Sequence, residues 1–400
     1  MSVFARSLTM IASFCAALGT AGCAHQAPPA APLDATRFAS IDQAIEQVIG
    51  ERRMPGAVFH LERGGMVYQK AFGRYSYEEQ AAKVAPSTVF DAASLTKVVA
   101  TAPSVLLLAE DGRLALDAPL VRYIPECGGG GRDPITVRHL LTHTSGLPAG
   151  LPALPAWQGR QKALELACSR VPTHSPGLTF RYSDVNYILL GELVQRVSGK
   201  PLDRFAHERI FAPLKMRDSG FLPLSIFAVD RVAPTQRIGG DAWRMLQGEV
   251  HDPTARRMDG VAGSAGMFTT VADLARYARM LLAGGELDGV RVLSAESVRL
   301  MTTPQSGAHI GAMRGMGMDI DSPFARPRGK LFPVGSYGHT GFTGCILWVD
   351  PTSGTFYLLL SNRVYPDDKQ NILDLYGRLG TLSAEAVSGF EFVPPAAGAR

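Results

Sequence analysis

A hydroxyl and an amine on one turn of an apolar helix, Ser94 and Lys97, narrow the folds open to this chain more than any other feature. Residues 94–110 are rich in Ala, Leu and Val and carry few charges, so they read as a largely buried helix. Three residues apart on a helix, the two side chains share a face and lie within reach of each other. An ammonium in such an apolar setting is disfavoured as a cation. Its pKa is therefore expected to fall until it can take the serine proton. Pro103 should kink this helix one to two turns past Lys97 and leave the first turn intact. Ser and Lys meet at this spacing in many unrelated chains, so the pair gains meaning only if partners follow downstream in order.

With 46% hydrophobic and 19% charged residues in 400, the chain has the composition of a soluble globular protein with a sizeable core. A formal net charge of +4, with Lys and Arg scattered, gives no footprint for nucleic acid. The first residues read as a targeting segment: Arg6 flanks a short apolar run, Leu8 to Leu18, too short to span a bilayer. It ends in Gly22-Cys23-Ala24, which resembles a bacterial lipoprotein box. Export to the periplasm is expected, with Cys23 a candidate lipid anchor and ordinary cleavage near Ala24 the alternative. The expected organisation is a signal segment over 1–23, an Ala/Pro-rich tether over 24–36, a single catalytic domain over 37–385 and a tail over 386–400. Cys127, Cys168 and Cys345 are too few for a disulfide framework; one bridge is open to them, and buried free thiols are the favoured expectation.

Along the chain, Ser40 is expected to cap a helix through Ile49, followed by a hairpin of strands 56–62 and 66–72 around Arg63-Gly64-Gly65. The glycine run 128–131 lacks the Lys-Ser or Lys-Thr of a phosphate loop. A short helix at 137–141 leads to His143, read as a structural histidine bonding its own turn. Tyr182 stands at the mouth of an apolar helix, 188–197, and a nearby ammonium would favour its phenolate, making it a candidate base. The run 260–266 nearly spells a lipase elbow, but position 262 is Ala and no strand-to-helix context follows Ser264, so the loop over 247–270 is read as lining the cleft rim. His251-Asp252 has no further ligands at metal spacing, and neither a metal nor a cofactor is expected. Thr270 and Asp273 should box a helix that ends at Gly284-Gly285. A final hairpin spans 338–361, its glycines letting a ligand approach the first strand, and a last helix covers about 370–379.

Ser94-x-x-Lys97, Tyr182-Ser183-Asp184 and His339-Thr340-Gly341 occur in the order and rough spacing of the serine β-lactamase and penicillin-binding superfamily. The resemblance is to its class C-like branch and spans about residues 37–380. Segments 248–252, 263–268 and 337–344 resemble a subgroup of D-alanyl-D-alanine carboxypeptidases and muramoyl-L-alanine amidases. The resemblance implies an α+β fold, an antiparallel sheet flanked by helices beside an all-helical lobe. It also implies Ser94 as acylated nucleophile, Lys97 and Tyr182 sharing the general-base role, and an oxyanion hole from the N–H groups of Ser94 and Phe342. Asp184, Asn186, His339, Thr340 and Gly341 would bind substrate.

Two departures from the pattern matter. The usual Tyr-x-Asn is Tyr182-Ser183-Asp184, so Asp184 is protonated, or replaced in its role by Asn186, or paired structurally. The usual Lys-Thr-Gly is His339-Thr340-Gly341, and a His holds a carboxylate only while protonated, so activity on carboxylate substrates is expected to weaken with rising pH. The expected function is a serine hydrolase of cell-wall D-alanyl-D-alanine peptides. The alternatives are an esterase, a muramoyl-alanine amidase or weak β-lactamase, and a non-catalytic wall-peptide binder. The expected partner is a small-molecule or peptidoglycan-peptide substrate; oligomeric state is not legible.

Overall fold

The architecture follows from one strand that is apolar on both faces. In Thr355–Ser361 every residue is buried, and successive side chains point into two different cores. Phe356, Leu358 and Leu360 face one, whereas Tyr357 and Leu359 face the other. Such a strand needs a layer on each side, and it has one. The computed structural model describes residues 31–392, and within them the sheet has seven antiparallel strands. In chain order they are β1 (Gly56–Arg63), β2 (Met66–Gly73), β3 (Met313–Arg314), β4 (Asp319–Asp321), β5 (Tyr337–Gly341), β6 (Cys345–Asp350) and β7 (Thr355–Ser361). Their order across the sheet is β2-β1-β7-β6-β5-β4-β3. Amino-terminal and carboxy-terminal hairpins thus meet at β1 and β7, with Ala57 opposite Ser361 and Arg63 opposite Thr355.

On one face lie helix α1 (Phe38–Gly50) and a carboxy-terminal helix, Leu373–Glu385; Ile41, Ile45 and Val48 pack with Leu375, Leu379 and the fully buried Trp348. The other face is covered by the helix Val271–Leu282, which joins the sheet to an all-helical lobe. That lobe contains α2 (Ala102–Glu110) and α3 (Asp184–Ser198). The α+β expectation, an antiparallel sheet flanked by helices beside a helical lobe, describes this arrangement.

Several local expectations need correction. Helix α1 begins at Phe38 rather than behind Ser40, and no side chain caps it. Residues Pro32–Asp34, assigned to the tether, belong to the fold: Leu33 is buried, and Asp34 N–H donates to Ala386 O at 2.8 Å. Signal segment, Cys23 and most of the tether lie outside the described residues, as does the tail from Val393. The helix predicted from Ser94 is not one continuous α-helix. After one turn it widens to i→i+5 bonding over Lys97–Thr101, and α2 begins only at Ala102. Pro103 supplies no N–H and would clash with the carbonyl four residues earlier, so it sits in the first turn of α2 instead, and the wide turn absorbs the mismatch. Thr270 caps its helix, but Asp273 does not close the box. Its carboxylate accepts from Asp218 N–H and Ser219 Oγ.

The free-thiol expectation holds for Cys345, buried with its thiol pushed up to about 12 by desolvation, but fails for the others. Cys127 and Cys168 form a disulfide across a separation of 41 residues. It clips the glycine-rich loop to helix Arg160–Ser169, and spacing alone could not reveal that the fold brings the two together. Replacing both cysteines by alanine is expected to lower unfolding free energy by about 2–4 kcal/mol, read as a reduced urea midpoint at unchanged slope.

Candidate active site

Asp91, at the end of a short strand before the apolar helix, organises the turn that presents Ser94. Its buried carboxylate accepts from Ala93 N–H at 2.8 Å and from His251 N–H at 2.6 Å, while its carbonyl accepts from Thr343 Oγ1 at 2.7 Å. One residue therefore ties the Ser94 turn to the 247–252 loop and to the turn after β5. Ala93 takes φ = 45°, a left-handed conformation held by that side-chain bond. Burial pushes the Asp91 carboxyl up to about 6. The approach of β5 is just as constrained: a Cβ on Gly341 would lie 2.6 Å from Ala92 O. Ser94 and Phe342, on the two turns so joined, keep N–H groups that no other backbone carbonyl takes among the described residues.

Lys97 is almost completely buried and surrounded by acceptors. Its ammonium donates to Ser94 Oγ at 3.0 Å and to Ser264 O at 2.8 Å, and pairs with Asp184 Oδ1 at 2.7 Å. The Tyr182 ring centroid is 5.1 Å away. Desolvation opposes the charge, as the sequence suggests, but the Asp184 carboxylate and the Tyr182 phenol outweigh it. The Lys97 pKa is thus raised in this arrangement, not lowered, because the residue that departs from the family pattern is an anion in contact with it. Among the three readings of Asp184, the structure favours the pair. Asn186 does not replace it: it is buried behind the cleft, its Oδ1 accepting from Ser145 Oγ at 2.6 Å and its Nδ2 directed at His143 Nδ1 at 3.3 Å.

His143 is structural, but its ring bonds the Tyr182 segment and α3 rather than its own turn. Its Nδ1 accepts from Ser183 N–H at 3.1 Å, which fastens the Tyr182 segment to the 142–146 turn. The Gly263–Gly266 run is not rim. It lies behind the wide helical turn, with Gly263 O accepting from Thr101 Oγ1 and Gly263 so close to α3 that a Cβ would meet Tyr187 O at 2.0 Å.

In front of Ser94 opens a cleft of about 460 Å³, lined by Tyr182, His339, Thr340, Gly341 and Phe342 from the expected set. It is also lined by residues that sequence reading passed over: Arg314, Asp319, Phe324 and Arg363. His339 is buried, its Nδ1–H donates to Thr340 O at 2.7 Å, and its ring is tilted against Tyr182 at 5.9 Å. Desolvation, then the Arg314 and Lys97 charges, hold its pKa well below 6.5. The expected protonated carboxylate holder is therefore a neutral ring with a bare Nε2 acceptor. An Asx turn before the serine could have flagged Asp91, whereas nothing in the local pattern marks Arg314 as a cleft residue.

The three ordered motifs meet at this cleft, and comparison with known proteins shows the family. The family model described as Beta-lactamase matches residues 41–380. The chain belongs to the beta-lactamase family. Within that family it is 30% identical over 373 residues to an Escherichia coli (strain K12) protein named "Putative D-alanyl-D-alanine carboxypeptidase", covering 85% of each chain. It is also 30% identical over 378 residues to the "N-acetylmuramyl-L-alanine amidase" of Bacillus subtilis (strain 168), covering 84% of this chain and 85% of that one. Its fold is shared with a penicillin-binding protein homologue from Caulobacter crescentus, with a TM-score of 0.69 at 24% identity, covering 88% of this chain and 98% of that one.

Two outcomes follow from the charges. Asp184→Asn leaves burial unopposed by its largest counterweight, so the Lys97 pKa falls and the acidic limb of the kcat/KM profile moves down by about one pH unit or more; an unmoved limb would show that the two charges are not coupled in turnover. Since His339 has no proton to lose above its depressed pKa, kcat/KM for a carboxylate substrate should not decline between pH 6 and 8 on its account. A decline present in the wild type and absent in His339→Gln would contradict this.

Proposed function

We propose that this beta-lactamase family member is a serine hydrolase that works through an acyl-enzyme on Ser94, acting on cell-wall peptides that end in D-alanyl-D-alanine. The observation that carries the reading is the contact of Lys97 with Ser94 Oγ on one side and Asp184 on the other, beneath a cleft that Tyr182 borders. Lys97, a cation at rest, must give up a proton before it can accept that of Ser94. Ser94 Oγ then attacks the acyl carbon, and the oxyanion is received by the Ser94 and Phe342 N–H groups. The proton returns through Lys97 or Tyr182 to the leaving nitrogen. Water repeats the sequence to free the acid. Thr340 and Gly341 present the strand edge along which an extended peptide would lie.

The names of the two relatives at 30% identity support a wall-peptide substrate, and they divide on which bond is cut. Cleavage at the muramoyl-L-alanine amide is the second reading, since the same acyl-enzyme chemistry would serve it. Export to the periplasm, with Cys23 the candidate anchor, belongs to the same proposal. The Cys127–Cys168 disulfide supports it, because such bridges persist in oxidising compartments.

The test is intact mass after brief exposure to benzylpenicillin, together with muropeptide turnover. A lasting adduct mapping to Ser94, with release of terminal D-alanine, is expected. Ser94→Ala should abolish the adduct and lower turnover on the order of 10³-fold or more. Release of L-alanyl peptide from muramic acid instead would select the amidase. No Ser94-dependent turnover of either substrate would overturn the wall-peptide reading.

A further inference from the structure

The turn that carries the Phe342 N–H is short of packing. It is the link Phe342-Thr343-Gly344 between β5 and β6, and its one large side chain, Phe342, is 53% exposed. A donor in an oxyanion hole is useful only when aimed to within about 0.5 Å of where the charge develops. The close approach of Gly341 to Ala92 O brings the turn up to Ser94, but it does not set where the next N–H points.

Arg363, two residues past the end of β7, holds the turn from behind. Its backbone N–H donates to Thr343 O at 3.0 Å and its Nε donates to Phe342 O at 2.8 Å, so one residue takes two successive carbonyls. Its guanidinium lies 4.3 Å from the Phe342 ring centre, and the His251 ring stacks on the same phenyl group at 5.7 Å. Nη1 donates to Gln370 O at 2.6 Å, in the 368–373 segment that walls the cleft. Gly344 leaves room for the stem: a Cβ there would lie 2.8 Å from Arg363 Cγ. Arg363 is buried, and a charged donor bonds a carbonyl about twice as strongly as a neutral one. From the other side, Thr343 Oγ1 donates to Asp91 O. The Phe342 N–H itself is left without an acceptor among the described residues.

We propose that Arg363 is a positioning residue for the oxyanion hole, acting through Phe342 and not on the substrate. Gly341 is held in β5 by its pairing with Cys345. With the Phe342 carbonyl and ring held by Arg363, the N–H between those fixed points keeps one direction. The inference rests on the proposed acyl-enzyme role of Ser94, whatever its natural substrate, and names what aims one of the two oxyanion donors. Loss of the guanidinium is expected to misaim that donor and not to remove it, so the effect should be smaller than the 10²–10³-fold typical of deleting one.

The test compares the full chain with Arg363→Met, which keeps the unbranched stem beside Gly344 and loses every donor of the side chain. Two readouts are taken: Ser94-dependent hydrolysis of p-nitrophenyl acetate, with Ser94→Ala as the blank, and inhibition by phenylboronic acid. The boronic acid adds reversibly to a serine oxygen and places a boron oxygen where the oxyanion would sit. In Arg363→Met, kcat for the ester should fall about tenfold with KM unchanged, and the boronic acid inhibition constant should rise by a similar factor. Partial misfolding lowers the active fraction and hence the apparent kcat, but it leaves an inhibition constant where it was. An unchanged inhibition constant, or a raised KM at unchanged kcat, would overturn the inference while leaving the acyl-enzyme reading intact. A wild type with no Ser94-dependent ester hydrolysis would overturn both.

Discussion

The contact on which the rest depends is that between the Lys97 ammonium and the Asp184 carboxylate, 2.7 Å apart at the edge of a dry interior. A buried cation on a helix is expensive, and burial alone would drive it neutral. Three acceptors from three separate parts of the chain prevent that: Ser94 from the turn that opens the helix, Ser264 from the 263–266 loop, Asp184 from the start of α3. Each acceptor has its own support. The Ser94 turn is clamped by Asp91, the 263–266 loop is wedged against α3, and the Tyr182–Asp184 segment is fastened by His143. The fold of the lobe and the state of one amine are the same problem solved once.

The sheet contributes by proximity. β7, buried on both faces, holds β6 beside it and β5 beyond, and Gly341 at the end of β5 meets the Asp91 turn with no room for a side chain between. Two turns carrying the Ser94 and Phe342 N–H groups are thereby joined by backbone contacts rather than by mobile side chains. β3 and β4 extend the same sheet, and although their register shifts between Asp319 and Asp321, Arg314 is seated opposite Asp319 in the cleft wall.

Charge in the cleft is distributed differently from what residue types suggest. Histidine at the β5 position is neutral because two cations and burial act on it together, and positive charge resides on Arg314, from a strand about 25 positions earlier. Asp184 makes the lysine a stable cation at rest, so any basic role for Lys97 requires its contact with Asp184 to change and not simple desolvation.

The order Ser94-x-x-Lys97, Tyr182, His339-Thr340-Gly341 was legible in the chain, because short motifs are local properties, and the family resemblance that it carries implied the α+β layering. Sequence by itself also marked the hairpins at 56–73 and 338–361 and the short helix at 137–141 within a residue or two. Only the tertiary structure decided the charge states of Lys97 and His339, the pairing of Cys127 with Cys168, the burial of Asn186 and the presence of Arg314 in the cleft. These depend on which distant groups come within a few ångströms and how much water is left between them. Electrostatic energy varies steeply with both, and neither is written in any one stretch of residues.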